Sequence, residues 1–540
     1  MKNYFLFFVM LFCVGSYASG ADKVYTANPH PPTDGLVGTN YTPAYAVNQI
    51  QFWHDFREDV IEKEMAAASK YYGIRTLRVY LHNINFDQEK DVFLANIERY
   101  LKICAKYDIK PGFCFFDDCH RHAGIYLDKP TEPIKGFHNG RWAASPQDRD
   151  RDEKNLEKFK PYIQEVIGAF RTDDRVLWWE IYNEPQIEAG NFSERIRRKG
   201  YKWAKEMKPI HPVISCWDDN EATDIVNSHY YGWKSGGWDG PADANPAKGA
   251  LFTEAGARWF APRPSNGEPC EVIHWLERRR AAGKSTPGVY LCWELFVGNS
   301  NCRWYWGTKH GSPEPTVPWC GLMWPDTTPV SLAEAEACLK YATGKGNALF
   351  YDNFQDGPES EEHAGWKSFG EGGSGGSRVL KVGSGSKMIA GDPKWKDYVL
   401  EGMVMLHGGM GNAGLVFRVN EPGDANDELR GYYVGFDART LYLGKFNSGW
   451  QPLAEYDLSK LDCKVVPGVW NQIRVAVQGN RIRVWFNRMH PSADLEKGLR
   501  IDIKDEKAPI LAGNIGVRAQ AVDAWFDNIV VVPIDPMFME

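Results

Sequence analysis

Two glutamates, Glu184 and Glu254, carry the chemistry this sequence offers. The first ends the run Trp178-Trp179-Glu180-Ile181-Tyr182-Asn183-Glu184-Pro185, and the second ends Ala250-Leu251-Phe252-Thr253-Glu254. Side chains on an extended strand alternate between faces, so Glu180, Tyr182 and Glu184 are expected to share one face, with Glu184 at the strand end. Two carboxyls facing each other across a cleft suit acetal cleavage. One, kept protonated, gives its proton to the leaving oxygen, and the other, ionised, attacks the anomeric carbon. A separation of about 5–5.5 Å between them means retention of configuration, whereas a wider gap admits water and means inversion. A single glutamate at a strand end is as often a structural ion pair; the informative feature is the pair.

The elements that must position this pair are legible as apolar runs at 36–41, 76–82, 110–118, 176–185, 212–217, 225–232, 249–258 and 288–296. Between them lie segments with helical spacing at 60–72, 93–107 and 155–170. Strands alternating with helices predict an α/β (β/α)8 TIM barrel, whose chemistry sits at the C-terminal ends of its strands. A doubly wound sheet is the competitor, but Val37-Gly38-Thr39-Asn40-Tyr41 carries no glycine-rich phosphate fingerprint. The last barrel helix is predicted at 331–343, opened by Ser331 with Glu334 three residues on, a capping box. The interval between the sixth and seventh strands leaves little room for a full helix.

Beyond Gly346 the texture changes to short alternating runs at 398–405, 414–419, 431–436, 440–445, 471–477, 481–486, 513–519 and 524–532. These predict an all-β jelly-roll sandwich over 347–540, with the Gly/Ser stretch 370–377 as a loop inside it. The barrel then spans 21–346.

Composition narrows the partners. The chain has 540 residues, 43% hydrophobic and 25% charged, with 63 Lys and Arg against 70 Asp and Glu for a net charge of −7. A polyanion partner wants a basic surface, so nucleic acid is disfavoured. The 21 tryptophans suit flat apolar ligand faces such as sugar rings, or large cores. Lys2, the apolar run 4–14 and the small residues Ser16, Ala18, Ser19 and Gly20 form a signal-peptide pattern over 1–20, so the protein is expected to be exported. Phe12 before Cys13 argues against a lipoprotein anchor, and no later segment reaches the roughly 18 apolar residues of a membrane span. Cys114, Cys216 and Cys292 read as buried thiols, Cys302 and Cys320 as a pair able to bridge one loop, and no Cys/His spacing matches zinc. No cofactor or metal is expected. The lip Asp117-Asp118-Cys119-His120 after the third strand reads as a sugar-hydroxyl contact through Asp118 and His120.

Taken in order, Asn183-Glu184-Pro185, His229-Tyr230 on the sixth strand, Phe-Thr-Glu254 on the seventh and Trp293 on the eighth resemble glycoside hydrolase clan A, nearest to the family 5 cellulase and mannanase barrels. The resemblance covers roughly residues 35–344. It implies a retaining hydrolase with Glu184 as general acid/base and Glu254 as nucleophile. It further implies that Asn183 binds the sugar 2-hydroxyl, and that Tyr230 hydrogen-bonds the nucleophile with His229 beside it. By the same resemblance, Arg78 would keep Glu254 ionised and Trp293 would floor the sugar subsite. Desolvation by Trp178, Trp179 and Tyr182 is the expected means of keeping Glu184 protonated. The loop 299–329, with Trp304, Tyr305, Trp306, Trp319 and Trp324, is either a subsite wall or a contact with the second domain.

The C-terminal half resembles concanavalin-like jelly rolls of the domain of unknown function 1080 type. The resemblance rests on Tyr351-Asp352-Asn353-Phe354, Ala413-Gly414-Leu415-Val416-Phe417-Arg418, Gly468-Val469-Trp470-Asn471 and Phe526-Asp527-Asn528-Ile529. No Glu-x-Asp-x-x-Glu strand accompanies them, so a non-catalytic carbohydrate-binding or scaffolding role is expected. Trp395, Arg418, Tyr432 and Trp450 are its candidate ligand contacts. Two rivals to the hydrolase remain at this level. One is a carbohydrate-binding protein on the same scaffold; the other places catalysis in the jelly roll.

Overall fold

The structure is a computed structural model. It describes residues 35–539 apart from 121–126, 128–131, 186–190, 217–220, 232–237, 244, 246, 259–267, 356–365, 370–372, 377–378 and 495. The expected leader, 1–20, lies outside the described residues.

The first half is a parallel barrel. Its strands are β1 (Val37–Tyr41), β2 (Thr76–Tyr80), β3 (Lys110–Asp117), β4 (Trp178–Asn183), β5 (Val213–Ile214), β6 (Val226–Tyr230), β7 (Ala250–Ala255) and β8 (Gly288–Leu291). They pair in the order β5-β4-β3-β2-β1-β8-β7-β6. Around them lie α1 (Gln49–His54), α2 (Glu58–Tyr72), α3 (Asn83–Lys106), α4 (Lys160–Phe170), α5 (Phe192–Glu206), α6 (Asp239–Asp243), α7 (Pro269–Ala281) and α8 (Leu332–Thr343). The strands are buried on both faces, which is why they read as continuous apolar runs. Gly112 on β3 is required by a close approach, since a Cβ there would meet the Trp178 indole at 2.2 Å. The five-residue α6 is the short sixth helix. Ser331 caps α8 by accepting from the Glu334 N–H, and Gly344, at φ 73°, ends it in the left-handed conformation. The reciprocal half of the expected capping box is absent, because the Glu334 carboxylate is spent on Arg258.

The second half is a two-sheet sandwich. Its strands are β9 (Phe350–Asp352), β10 (Lys367–Phe369), β11 (Gly373–Gly376), β12 (Val379–Val382), β13 (Ser386–Ala390), β14 (Tyr398–Leu406), β15 (Asn412–Asn420), β16 (Arg430–Phe436), β17 (Thr440–Phe446), β18 (Trp450–Asp457), β19 (Trp470–Gln478), β20 (Arg481–Phe486), β21 (Leu499–Lys504), β22 (Asn514–Gln520) and β23 (Ala524–Pro533). One sheet runs β10-β13-β22-β15-β16-β17-β18 and the other β11-β12-β23-β14-β19-β20-β21, with β9 on β23. The stretch expected to be a loop is corrected in its middle: Gly373–Gly376 pairs with β12.

The outer face of the β14–β19–β23 sheet packs on the barrel, so Val399, Ala476 and Val530 sit in one buried cluster with barrel residues. Glu401 on β14 accepts from the Leu332 N–H at the start of α8 (2.7 Å) and pairs with Arg474. No helix among the described residues is long and apolar enough to cross a membrane.

Two of the four expected sandwich ligand contacts, Arg418 and Tyr432, are interior, and Trp395 is half-buried. Tyr432 is buried against Asp505, Arg418 donates to the carbonyls of Lys396, Gly479 and Ile510, and Trp395 packs on Phe350 and Tyr398. Trp450 alone stays well exposed. Cys302 and Cys320 are separate buried thiols, not a bridge; Cys302 donates to the Phe296 carbonyl.

Candidate active site

A cleft of about 690 Å³ opens at the C-terminal ends of the barrel strands. Its lining includes Asn183 from β4 and Glu184 just after it, His229 from β6, Glu254 from β7 and Trp293 after β8, with Asp118 and His120 after β3. An oxygen of Glu184, an oxygen of Glu254 and a ring nitrogen of His229 all lie within 4.8 Å of one another.

Arg78 organises the floor. Its guanidinium grips Glu180 with two hydrogen bonds (2.7 and 2.9 Å), donates to Glu254 Oε1 (2.9 Å) and donates to Asn183 Oδ1 (2.7 Å). Because Arg78 reaches both Glu180 and Asn183, the strict alternation expected along β4 is interrupted. Tyr182 turns away to stack on Phe116 (5.8 Å), and Glu184, at φ 41°, leaves the strand. The Asn183 amide nitrogen donates to Asp117 Oδ1 (2.8 Å), which fixes which edge Asn183 presents.

Glu184 is held from both sides. His229 Nδ1 lies 2.6 Å from its Oε1, and the Cys119 thiol donates to its Oε2 (2.8 Å). On the other ring edge, His229 Nε2 lies 3.0 Å from Thr253 Oγ1, whose own hydroxyl is committed to Asn227 Oδ1 (2.6 Å). Thr253 therefore accepts, Nε2 carries a proton, and Nδ1 is left to share a proton with Glu184. Burial alone would push the Glu184 carboxyl up, but the hydrogen bond and charge of His229, with Cys119 and Arg78, hold it well below the usual carboxylate range. Glu254 stays above that range, because burial and the Glu184 charge outweigh the help of His229, Arg78 and Tyr231. Burial lowers the His229 imidazole, yet the Cys216 and Glu254 charges and the Cys216 and Glu184 hydrogen bonds hold it well above its ordinary value. Both directions favour a charged His229–Glu184 pair over a neutral one, the reverse of the expected distribution.

The tyrosine assigned to Glu254 is corrected by one residue. Tyr231, not Tyr230, donates its hydroxyl to Glu254 Oε2, while Tyr230 packs on Trp238 and Phe252. Alternation explains it: residues two apart on a strand share a face, so the partner of His229 is Tyr231. The three residues expected to desolvate Glu184 also lie elsewhere: Tyr182 stacks on Phe116. Trp178 fills the barrel beside Tyr290, and Trp179 packs outward on Phe113 and bonds His211. Trp293 stands edge-on to Tyr80 and Trp142, and Asp118 is paired with Arg151.

Residues 352–532 match the family model of the 3-keto-alpha-glucoside-1,2-lyase-like domain. Among solved structures, the exo-β-1,4-mannosidase Op5Man5 from Opitutaceae bacterium strain TAV5 is 13% identical, with a TM-score of 0.39 over 57% of this chain and 59% of its own. The endo-β-1,4-mannanase from Thermotoga petrophila is 13% identical, with a TM-score of 0.38 over 82% of this chain and 100% of its own. The carbohydrate-binding module CBM66 from Bacillus subtilis is 19% identical, with a TM-score of 0.25 over 32% of this chain and 99% of its own. No curated protein matches the chain.

Several cleft residues were not singled out by sequence: Cys119 as a partner of Glu184, and His138 and Asn139 as lining. The alternatives for the 299–329 loop are both realised, since Trp306 and Trp319 line the cleft while Trp324 meets Arg488 of the sandwich. Two of these walls carry unspent donors. The indole nitrogens of Trp293 and Trp319 are buried, and neither has a hydrogen-bond partner among the described residues. Glu184, His229 and Glu254 are also compact enough to share a cation. The Glu254 oxygens already accept from Arg78 and Tyr231, so a cation there would have to displace existing bonds.

Proposed function

We propose that this protein is an exported retaining glycoside hydrolase acting on β-linked poly- or oligosaccharides, with Glu184 as acid/base and Glu254 as nucleophile. The observation that carries the reading is the approach of the two carboxylates to within 4.8 Å. An oxygen-to-oxygen approach this close favours the roughly 5–5.5 Å carboxyl separation of a double displacement over the roughly 6.5–9.5 Å that accommodates a water for inversion. The unpaired indole N–H groups of Trp293 and Trp319 support a polyhydroxylated ligand, since buried donors call for acceptors.

The reaction needs one proton on Glu184 and none on Glu254. The site holds that proton one hydrogen bond away, on the 2.6 Å line between His229 Nδ1 and Glu184 Oε1. Passing it to Glu184 leaves a neutral imidazole still bonded to Thr253. Glu254, anchored by Arg78 and Tyr231, attacks the anomeric carbon while Glu184 protonates the departing glycosidic oxygen. In the second step Glu184 takes a proton from water, whose oxygen attacks the same carbon and releases Glu254. Asn183, fixed between Arg78 and Asp117, stands beside the acid as the contact for the 2-hydroxyl.

The test is Glu184→Gln and Glu254→Gln, each assayed on cello-, manno- and xylo-oligosaccharides. Turnover is expected to fall by orders of magnitude in each while the unfolding transition is kept. Wild-type rates in both variants would remove the reading, and sugar binding by the wild type without turnover would favour the carbohydrate-binding alternative.

A further inference from the structure

The segment 299–330 between β8 and α8 has two ends with different duties. One end lines the cleft through Trp306 and Trp319. The other is fastened to the sandwich. Thr316 Oγ1 donates to the Trp470 carbonyl (2.8 Å), and Gln472 Nε2 donates to the Val330 carbonyl (2.8 Å). Arg474 donates to the carbonyls of Pro329 and Val330 (3.0 and 3.2 Å), and Arg488 donates to Thr328 Oγ1 (2.6 Å) and pairs with Asp326 (2.8 Å). Gln472, Arg474 and Arg488 are all buried, so these bonds fix a backbone path in a water-poor interface.

That path ends at Trp319. Its ring stacks on Tyr231 (5.8 Å, 25° between planes), the tyrosine that holds Glu254, and stands edge-on to His138 (5.4 Å). The residue is 1% exposed, lines the cleft, and its Nε1 has no partner among the described residues. A buried donor without an acceptor costs about 1–3 kcal/mol. The cleft is where an acceptor can arrive.

We propose that Trp319 is a substrate-binding residue whose indole N–H donates to a sugar hydroxyl, and that the sandwich domain positions it through Gln472, Arg474 and Arg488. The proposal rests on the glycosidase reading of the cleft. It makes the second domain a working part of the barrel's active site, whatever glycan it binds on its own surface.

The experiment compares Trp319→Phe, Thr316→Val, Arg488→Ala, Arg488→Lys and the double variant Trp319→Phe/Arg488→Ala with the wild type. The probes are 4-nitrophenyl β-glycosides and cello-, manno- and xylotetraose. Losing the Trp319 donor is expected to raise KM about tenfold with kcat nearly unchanged, the mark of lost uniform binding. Arg488→Ala and Thr316→Val are expected to raise KM about threefold to fivefold, a share of one hydrogen bond's worth. Arg488→Lys recovers most of the loss, and the double variant is no worse than Trp319→Phe alone, because the two act through one contact. Hydrogen exchange of the 299–330 amides quickens in Arg488→Ala and Thr316→Val while that of β4 and β7 does not. Wild-type KM and exchange in both sandwich-contact variants, or losses that add in the double variant, would overturn the proposal. A wild type that binds a tetraose but turns over none of the probes defeats the glycosidase reading alone. The same comparison, made on tetraose Kd by calorimetry, then decides the role of Trp319, and the absence of any tetraose binding would refute it.

Discussion

His229 Nδ1 and Glu184 Oε1 stand 2.6 Å apart, with the far edge of the imidazole locked as a donor to Thr253. Under the proposed mechanism, this short line stores the proton that acid catalysis would spend. The His229 imidazole is held well above its ordinary value and the Glu254 carboxyl above its own. The profile of kcat/KM against pH is therefore expected to be a bell. Its acid limb, where Glu254 takes a proton, lies above the ordinary carboxylate value, and its alkaline limb, where the shared proton leaves, lies above that of an ordinary histidine. In His229→Asn the alkaline limb should fall toward the carboxylate range. An alkaline limb that stays put would show that His229 does not store the proton.

Tyr231 and Tyr230 separate cleanly by experiment. Removing the Tyr231 hydroxyl, which donates to the Glu254 carboxylate, forfeits a charge-assisted bond worth about 1.5–3 kcal/mol, so Tyr231→Phe should lower kcat/KM roughly tenfold to a hundredfold. Tyr230→Phe should change little. Steady-state kinetics on the two variants checks the assignment, and equal effects would refute it.

Arg78 is fully buried between Glu180 and Glu254. Truncating it to methionine strands both carboxylates, so Arg78→Met should destabilise the barrel by about 3–5 kcal/mol. Arg78→Lys, which keeps the charge but loses the two-pronged grip on Glu180, should lie between wild type and methionine. Urea unfolding reads both, and a wild-type midpoint for Arg78→Met would contradict the role of Arg78 as the counter-charge.

How far this was legible in the sequence depended on burial. The barrel strands stood out because burial on both faces leaves long apolar runs, and the Glu184–Glu254 pair followed from where two of those runs end. β18 was missed because Trp450–Asp457 is exposed along most of its length and shows no inside–outside alternation. The side-chain arrangement at the end of β4, with Asn183 rather than Tyr182 meeting Arg78, was invisible for a related reason. What moves Tyr182 off the inner face is the Arg78 network, and the partners of Arg78 come from β1, β4 and β7. Cys119 stood in the sequence only as part of the 117–120 lip, with no signal that it would meet Glu184. Tyr231 did have one, the two-residue spacing from His229, and it was misread by a single position.

A pH effect on stability is expected at His82, far from the two glutamates in role. Its Nδ1 accepts from the Ile84 N–H (3.1 Å) and its Nε2 faces the Ala144 carbonyl (3.0 Å), so the neutral ring is satisfied on both edges and has no place for a second proton. Burial pushes its pKa down to about 4. As pH falls below the ordinary histidine value of 6.5, the unfolded chain takes the proton first, and stability is lost until about pH 4. The full window is worth about 3 kcal/mol. His82→Asn keeps a cap acceptor without titrating. Its melting temperature should therefore fall less than that of the wild type between pH 6.5 and 4, and parallel curves would contradict the account.

The most direct test of the paired carboxylates is the anomer first released from a β-linked oligosaccharide, followed by proton NMR before mutarotation. With Glu184 and Glu254 acting in double displacement, the new reducing end should appear as the β-anomer. Release of the α-anomer would mean that a water, not Glu254, attacks the sugar.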